Sequence, residues 1–278
     1  MKTFIPKILL FTLLLCGCQK DDFVDCTIET GAKLKRILNC PDYDCDNPVY
    51  GVATFEYDEK GRFSKVTGGL PLSWTPNDIY IPIKPGVYEY NSKGQLAKVT
   101  ASDGGYYSYE YNSKGQLIKM ENFVWSNSDS ELHHFRTYYY TYFDDCKIEK
   151  EYIEYPLTNR FVYTLYQYGF NDKIAREEYY DNSDELDSYK IYKYDDNGNL
   201  TEKIVYREGW GPYLYLVYTY EKGLNVQTDI YNDLEKNYYL RKILKTHDDS
   251  GNLIFLESLE QRSSSQTSFS WKYEYYEE

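Results

Sequence analysis

The sequence has few basic residues and little glycine or proline, and each shortage excludes a class of protein. Thirty-one lysines and arginines stand against 44 aspartates and glutamates, which gives a formal net charge of −13. Nucleic acid is therefore a poor partner, because phosphate binding needs a basic face. Seventeen glycines and nine prolines in 278 residues are too few for a collagen-like or low-complexity chain. Aromatic residues make up 18% of the sequence, so an acidic disordered tail is excluded as well.

The sequence has no long apolar run, and its one clear short run covers residues 8–15, behind two lysines. A membrane-spanning helix needs roughly 20 apolar residues, whereas the apolar part of a signal peptide is this short. The run ends in Leu15-Cys16-Gly17-Cys18, which resembles the lipobox of bacterial lipoproteins. The resemblance implies that residues 1–17 are removed and that Cys18 is lipidated. Cys16 is the weaker candidate, because no small residue precedes it, and a secretory signal without lipid is the alternative.

Residues 18–31 read as a tether between the lipid and the folded domain. Lys20-Asp21-Asp22 is similar to the export tag that sends some lipoproteins to the outer face of the outer membrane. A single acyl chain anchors a protein only marginally, but the resemblance implies three chains. We therefore expect a lipid-anchored protein of the outer membrane, exposed at the cell surface.

Four cysteines remain after this processing, and they are Cys26, Cys40, Cys45 and Cys146. An exported chain meets an oxidising compartment, so disulfides are expected, and four cysteines allow three pairings. A zinc site is the alternative, but no histidine lies near the first three cysteines and their spacing fits no zinc-finger pattern. We expect neither a metal ion nor a cofactor.

One short pattern recurs along most of the chain. An aromatic residue, any residue and a tyrosine are followed by an Asx residue, by glycine three positions later, and then by an apolar residue. Clear copies cover residues 55–63, 88–96, 109–117, 192–200 and 246–253, with His247 in place of the tyrosine in the last. Worn copies cover residues 140–146, 166–173 and 218–224. Seven steps of about 27 residues separate Gly61 from Gly251, which indicates a repeat architecture.

The pattern resembles the unit of the YD-repeat (RHS) family, and the resemblance covers roughly residues 34–276. It implies antiparallel β-hairpins laid side by side, which coil into a shell in the large members. This chain lacks the length and the carboxy-terminal toxin module of those members, so their encapsulating role does not carry over with the fold.

The residues predict the same hairpin without the family. The Asx residue opens a type I turn and the glycine accepts the left-handed conformation that follows, which makes a three-residue loop. In the copy at residues 88–96 we expect Tyr90 to face Leu96 and Tyr88 to face Lys98, with Glu89 on the reverse face. A tyrosine-and-leucine surface should then turn inward.

Counting alternating runs gives roughly 18 strands. Open sheets seldom exceed about 10 strands without curling or splitting. We therefore predict an all-β fold for residues 32–278, as one domain. Its long antiparallel meander of tandem hairpins should be curled into a barrel-like or two-leaved sheet.

The two edges of this sheet should differ, with uniform Asx turns at one edge and variable connectors at the other. Trp74, Trp125 and Trp210 fall in or beside the connectors. Exposed aromatic residues on variable loops over a rigid scaffold are typical of a recognition surface. The alternative is that each tryptophan plugs the open end of the curled sheet. Sugar rings stack on such side chains, so the expected partner is a glycan or another envelope protein.

Residues suited to catalysis are scarce. His133 and His134 are adjacent on a predicted strand, so they point to opposite faces and cannot clamp a metal ion together. The acidic pairs at 144–145, 195–196 and 248–249 could suggest glycosidase carboxylates, but turn formation already explains them. An acidic stretch at residues 181–185 lacks the spacing of a calcium loop. We predict a protein that is not an enzyme, with a polysaccharide-acting hydrolase or a purely structural envelope protein as alternatives.

Overall fold

The computed structural model describes residues 33–39, 53–68, 84–144, 146–169, 172–232, 239–262 and 265–276. Several sequence predictions lie outside these ranges and stay predictions: the signal peptide and tether at residues 1–31, lipidation at Cys18, and the roles of Trp74, Cys26, Cys40 and Cys45. Within the described residues, no helix is long and apolar enough to cross a membrane.

Eighteen β-strands make up the described chain, and every neighbouring pair is antiparallel. The strands are β1 (Leu34–Asn39), β2 (Ala53–Tyr57), β3 (Phe63–Thr67), β4 (Gly86–Tyr90), β5 (Leu96–Thr100), β6 (Tyr106–Tyr111), β7 (Leu117–Ser126), β8 (Glu131–Tyr142), β9 (Ile148–Tyr155), β10 (Arg160–Tyr168), β11 (Ile174–Tyr180), β12 (Leu186–Tyr194), β13 (Leu200–Arg207), β14 (Gly211–Glu221), β15 (Leu224–Tyr231), β16 (Tyr239–His247), β17 (Leu253–Arg262) and β18 (Ser265–Tyr275). Each strand pairs with the next along the chain, and β1 also pairs with β18, which closes the sheet into a barrel. The all-β meander is confirmed, and the closed barrel replaces the alternative of two leaves.

The predicted turn chemistry is confirmed in the clear copies. The Asn91 side chain accepts hydrogen bonds from the backbone N–H groups of Lys93 and Gln95, and the Gly94 N–H donates to the Asn91 carbonyl. Gly94 has φ +84°, a conformation that an L-residue rarely adopts. All turns of this kind that follow even-numbered strands lie at one end of the barrel, here called the Asx rim (turns 58–62, 91–95, 112–116, 143–147, 169–173, 195–199, 222–223 and 248–252).

The worn copies keep the turn with other residues. Cys146 and Asp172 occupy the glycine position and take positive φ values of +70° and +58°. Lys222 and Gly223 form a shorter two-residue loop with φ +52° and +82°, as in a type I′ turn. Cys146 is disulfide-bonded, as expected, and the three pairings that the sequence allows stay open.

The register within each hairpin differs from the expected one. Tyr90 does face Leu96, but an extra residue after Leu96 shifts the ladder, so that Tyr88 faces Val99 and Glu89 faces Lys98. The expected pairing of Tyr88 with Lys98 is therefore wrong. The same shift follows the first apolar residue in eight of the nine hairpins, and in the hairpin of β14 and β15 it follows Asn225. Such a bulge bends a strand and increases its twist, which curls a long sheet toward closure.

Where it is present, the repeat tyrosine joins its hairpin to the preceding one. Its hydroxyl donates a hydrogen bond to the carbonyl of the first residue of the preceding strand, as Tyr90 does to Phe63. Seven such bonds, 2.6–3.0 Å long, recur around the Asx rim: Tyr57 to Leu34, Tyr90 to Phe63, Tyr111 to Leu96, Tyr142 to Leu117, Tyr168 to Ile148, Tyr194 to Ile174 and Tyr275 to Leu253. Interior tyrosines thus have a defined polar partner, the backbone of a neighbouring hairpin.

Strands β18 and β1 form a ninth hairpin that has no loop of its own. Tyr275 faces Leu34, Glu274 faces Arg36 and Tyr273 faces Ile37, which reproduces the register and the bulge of the other hairpins. The Tyr276 N–H donates to the Lys33 carbonyl, as the Asn91 N–H does to the Gln95 carbonyl. The barrel therefore closes by completing one repeat from two distant segments.

The inward face is apolar on one side of the barrel and polar on the other. The apolar side is a cluster contributed by β1–β3 and β14–β18, in which Ile37, Phe55 and Ile243 are fully buried. Burial of side chains of this size contributes about 1.5–3 kcal/mol each. The polar side is formed by strands β8–β13 and is described below.

Removal of one repeat hydroxyl should weaken the barrel measurably. We expect Tyr111→Phe to lower the free energy of unfolding by about 1 kcal/mol, because the Leu96 carbonyl loses its donor. Chemical denaturation measures the change. Tyr106→Phe is the matched control, since the Tyr106 ring stacks on Phe123 on the outward face and should tolerate the change. Equal losses in the two variants would contradict the role of the repeat hydroxyl.

The ninth hairpin can be given a covalent loop. Joining Glu278 through one glycine to Lys33 leaves five residues between Tyr275 and Leu34, the same number as between Tyr90 and Leu96. With new ends opened at the turn 208–210, we expect this permuted chain to keep its strand content and to unfold in one cooperative transition, since one loop of the barrel is closed while another is opened. Circular dichroism measures both, and a permuted chain without a cooperative transition would contradict the closure.

Candidate functional site

The turn between β13 and β14 presents the most exposed aromatic side chain of the described chain. Trp210 is 83% exposed and its neighbour Tyr213 is 48% exposed. Gly209 and Gly211 flank the tryptophan with φ +73° and +79°, and a Cβ atom on either would meet nothing nearby. The glycines are thus required by the backbone conformation and not by crowding. They let the turn reverse tightly and hold the indole away from the barrel.

Trp125 lies near the end of β7 and faces Leu132 of β8. The two side chains are 37% and 44% exposed and form an apolar pair on the outward face. The turn below them is fixed by polar groups, because the Ser130 N–H donates to the Ser126 carbonyl and the Asp129 carboxylate contacts His133 Nε2 at 2.7 Å. Neither this tryptophan nor Trp210 plugs the end of the barrel.

Exposed large apolar side chains gather at the end of the barrel opposite the Asx rim. This end is here called the connector rim (turns 101–105, 127–130, 156–159, 181–185 and 208–210, with the strand ends beside them). Of the ten exposed large apolar side chains among the described residues, seven lie there: Val87, Trp125, Leu132, Leu157, Trp210, Tyr213 and Leu240. A set of apolar side chains at one end of a rigid scaffold is a candidate binding surface.

The structure does not bring the tryptophans into one pocket. Trp125 belongs to β7 and Trp210 follows β13, so six strand spacings, about 29 Å along the sheet, separate them. Each can serve only as a separate contact point, and a ligand that touches both must be extended.

Aromatic stacks line the outward face just below the connector rim, and sequence reasoning missed them. Tyr163 stacks on Tyr180 with ring centroids 4.7 Å apart, and Tyr189 stacks on Tyr206 at 4.5 Å. The Arg176 guanidinium lies 4.0 Å from the Tyr189 ring. Tyrosine positions outside the repeat motif carry these stacks, and only the cross-strand register could have revealed them.

Cross-strand ion pairs occupy the outward face nearer the Asx rim. Lys119 contacts Glu110 of β6 at 3.4 Å and Glu121 of its own strand at 3.0 Å, and Lys193 of β12 contacts Glu202 of β13 at 2.6 Å. Arg36 of β1 pairs with Glu274 of β18 in the same way. Both signs of charge alternate along this row, which gives it the character of a surface in contact with water.

Two carboxylates lie inside the polar half of the barrel. Glu177 accepts hydrogen bonds from the Tyr192 hydroxyl at 2.7 Å and from Lys190 Nζ at 2.8 Å. Burial raises the pKa of Glu151, whose carboxylate is hydrogen-bonded by Tyr140. The motif predicts the tyrosines that face these acids, but the position of the acids themselves varies and holds Val66, Val99 and Lys203 in other hairpins. No local signal therefore marks the acids.

The remaining chemical candidates are explained by turn formation. Asp195 accepts the N–H groups of Asn197 and Asn199, and Asp248 accepts those of Ser250 and Asn252. The Asn199 side-chain amide, followed by these backbone N–H groups, lowers the pKa of Asp195, as expected for a capping carboxylate and not for a proton donor. The described residues contain no group of three His, Cys, Asp or Glu side chains suited to a metal ion.

The histidines have structural contacts. His134 stacks on Phe123 with ring centroids 4.6 Å apart, while His133 contacts Asp129. His247 faces Leu253 at the repeat tyrosine position, as the motif predicts. Burial lowers the pKa of His247, which keeps its imidazole neutral in the folded barrel at neutral pH.

No family model matches the sequence, and no curated protein matches it either. Among solved structures, the chain is similar to a porin-like protein from Bacteroides vulgatus at 10% identity, with 88% of this chain and 99% of that chain covered and a TM-score of 0.41. A porin-like protein from Bacteroides uniformis matches at 12% identity, covering 62% and 90% of the two chains, with a TM-score of 0.31. The Photorhabdus luminescens Tc holotoxin pore matches at 12% identity over 83% of this chain and 15% of that chain, with a TM-score of 0.26.

The interior tyrosines should make the barrel sensitive to alkali. Burial raises the pKa of Tyr90, Tyr111, Tyr142, Tyr194 and Tyr275 to about 12, against about 10 in an unfolded chain. The unfolded chain therefore loses protons first, so the contribution of these tyrosines to stability should be constant below about pH 10 and fall between pH 10 and 12. Denaturation at a series of pH values measures the slope. Tyr111→Phe should make this decline shallower, and an unchanged slope would contradict the assignment.

Proposed function

We propose that this chain is a non-catalytic scaffold of the bacterial envelope, which binds an extended glycan through its connector rim. The observation that carries the proposal is the exposure of Trp210, Trp125 and their apolar neighbours at one end of a closed barrel. Indole and phenol faces stack on sugar rings, and nearby acidic side chains accept hydrogen bonds from sugar hydroxyls. The separation of the two tryptophans favours a polysaccharide over a single sugar.

We further propose that the barrel is held at the membrane by lipid on Cys18 and stands in water. The lipobox resemblance supports the anchor, and the alternating ion pairs of Lys119, Glu121 and Lys193 on the outward face support contact with water. A barrel that spans a membrane presents an apolar band about 25 Å tall on its outward face. Membership of the YD-repeat family is part of the same proposal, supported by the repeated Asx turn and the repeat tyrosine.

A second candidate is the docking of another envelope protein on the same rim. Leu157 is 61% exposed at the turn between β9 and β10, and Leu132 is 44% exposed beside Trp125. Aliphatic side chains offer little to a sugar ring but are readily buried in a protein interface. The hydrolase alternative has less support, because the paired acidic residues with described contacts serve as turn caps.

A glycan array tests the proposal directly. We expect the parent chain to bind acidic or neutral polysaccharides, and Trp210→Ala to weaken binding by about thirtyfold, since a hot-spot tryptophan is worth about 2 kcal/mol. A triple alanine variant at Trp74, Trp125 and Trp210 should abolish binding. Tyr139→Ala is the matched control, because Tyr139 is exposed on the outward face away from the rim.

Absence of binding by the parent, or unchanged binding by the triple variant, would overturn the glycan proposal. Co-purification of a stoichiometric protein after mild detergent extraction, lost on Leu157→Asp, would then support the second candidate.

A further inference from the structure

A row of inward-facing polar residues crosses β6, β7 and β8 near the connector rim. Tyr107 faces Asn122, and Asn122 faces Arg136. Tyr107 lies on the same face of its strand as the repeat tyrosine Tyr111, so the row belongs to the barrel interior. Asn122 is 3% exposed. Directly opposed residues lie about 5 Å apart, so the row spans about 10 Å.

Lys84 lies over one end of this row. Its Nζ atom is 3.2 Å from the centroid of the Tyr107 ring. The Tyr88 hydroxyl fixes the backbone at this position, because it accepts a hydrogen bond from the Lys84 N–H at 2.9 Å and donates one to the Lys84 carbonyl at 2.7 Å. The lysine is therefore held in place by an interior tyrosine and directed onto an aromatic ring.

Arg136 occupies the other end of the row. Its guanidinium lies 4.6 Å from the centroid of the Phe135 ring, and it donates a hydrogen bond to the Tyr138 hydroxyl at 2.9 Å. The Nε atom is shielded from solvent and has no hydrogen-bond partner. A buried donor on a charged group costs free energy when it is left unpaired. The side of the guanidinium that includes Nε is also the side that can bind a carboxylate or phosphate through two parallel hydrogen bonds.

Within the described part of the chain, no carboxylate compensates these two cations. Among the described residues, none lies within ion-pair distance of Lys84 or Arg136, although the whole chain carries a net charge of −13. Burial and the nearby Arg136 charge lower the pKa of Lys84 to about 7. Two like charges held together in a low-dielectric interior are unfavourable unless an anion joins them or one loses its proton.

We propose that Lys84 and Arg136 form a binding site for the anionic group of a small ligand, a carboxylate or a phosphate, inside the barrel near the connector rim. The guanidinium supplies the paired hydrogen bonds and the ammonium supplies a second charge. The Asn122 amide and the surrounding rings of Tyr107 and Phe135 suit the uncharged body of such a ligand. This site lies inside the barrel and does not rest on the glycan surface proposed above.

Isothermal titration calorimetry on the full chain tests the site with sodium acetate, sodium glucuronate and sodium phosphate at constant ionic strength. Glucose is the uncharged control for glucuronate. We expect one anion per chain, no response to glucose, and at least tenfold weaker binding in both Lys84→Met and Arg136→Met. Lys65→Met is the matched control, because Lys65 is an exposed outward lysine. Preference for glucuronate or for phosphate identifies which source of negative charge the site accepts.

Proton uptake separates this site from adventitious binding at the surface. An anion beside Lys84 should raise the pKa of its ammonium group, so the protein should take up part of a proton when the anion binds at pH 8. This uptake is measured as a binding heat that varies with the ionisation enthalpy of the buffer. Lys84→Met should abolish this uptake while its far-ultraviolet circular dichroism matches the parent. Absence of anion binding in the parent would overturn the proposal, and so would binding that neither methionine variant changes.

Discussion

The hydrogen bond from the repeat tyrosine to the preceding hairpin is the interaction on which the rest of the barrel depends. A two-stranded hairpin is only marginally stable alone, and each hairpin here has just two strands of modest length. The Tyr111 hydroxyl reaches the Leu96 carbonyl, which lies directly after the preceding turn. The turn therefore sets the position of the acceptor, and the geometry of one repeat controls the docking of the next.

The hairpin formed by β16 and β17 shows how this coupling tolerates a change. His247 stands where the other repeats have tyrosine, and the hairpin before it has the two-residue loop at Lys222 and Gly223. The shorter loop places Asn225 opposite Tyr220, where other hairpins have an apolar residue. Lys245 of β16 then bonds the Asn225 side chain. The histidine and the shorter loop thus occur in adjacent hairpins. A hydrogen bond between side chains joins these two hairpins, whereas a bond from a tyrosine hydroxyl to a carbonyl does so elsewhere in the barrel.

Much of this fold could be predicted from the sequence, because local chemistry determines the turns. The long-range register could not be predicted. Asx and glycine specify their turn by conformation, so the hairpins and their common rim follow from residue type. The bulge after the first apolar residue has no such signal, because its extra residue is serine at 64, alanine at 97 and threonine at 201. The pairing of β1 with β18 and the row from Tyr107 to Arg136 depend on segments that meet only in the folded chain. The exposure of Trp125 and Trp210 could be predicted because both lie beside connectors. The distance between them could be estimated only once the number of strands between them was known.

Closure of the barrel limits the ways in which such a protein can bind a partner. In a closed sheet every described strand has two paired neighbours, so no edge offers backbone groups for strand addition by a partner. The Asx rim is constrained by the repeated turn and the tyrosine bonds. Side chains of the connector rim and of the interior are therefore the parts that can vary without disturbing the repeat. Exposed apolar residues and the two interior cations, which have no ion-pair partner among the described residues, both lie toward that same end. That coincidence is the physical reason for assigning binding to the connector end.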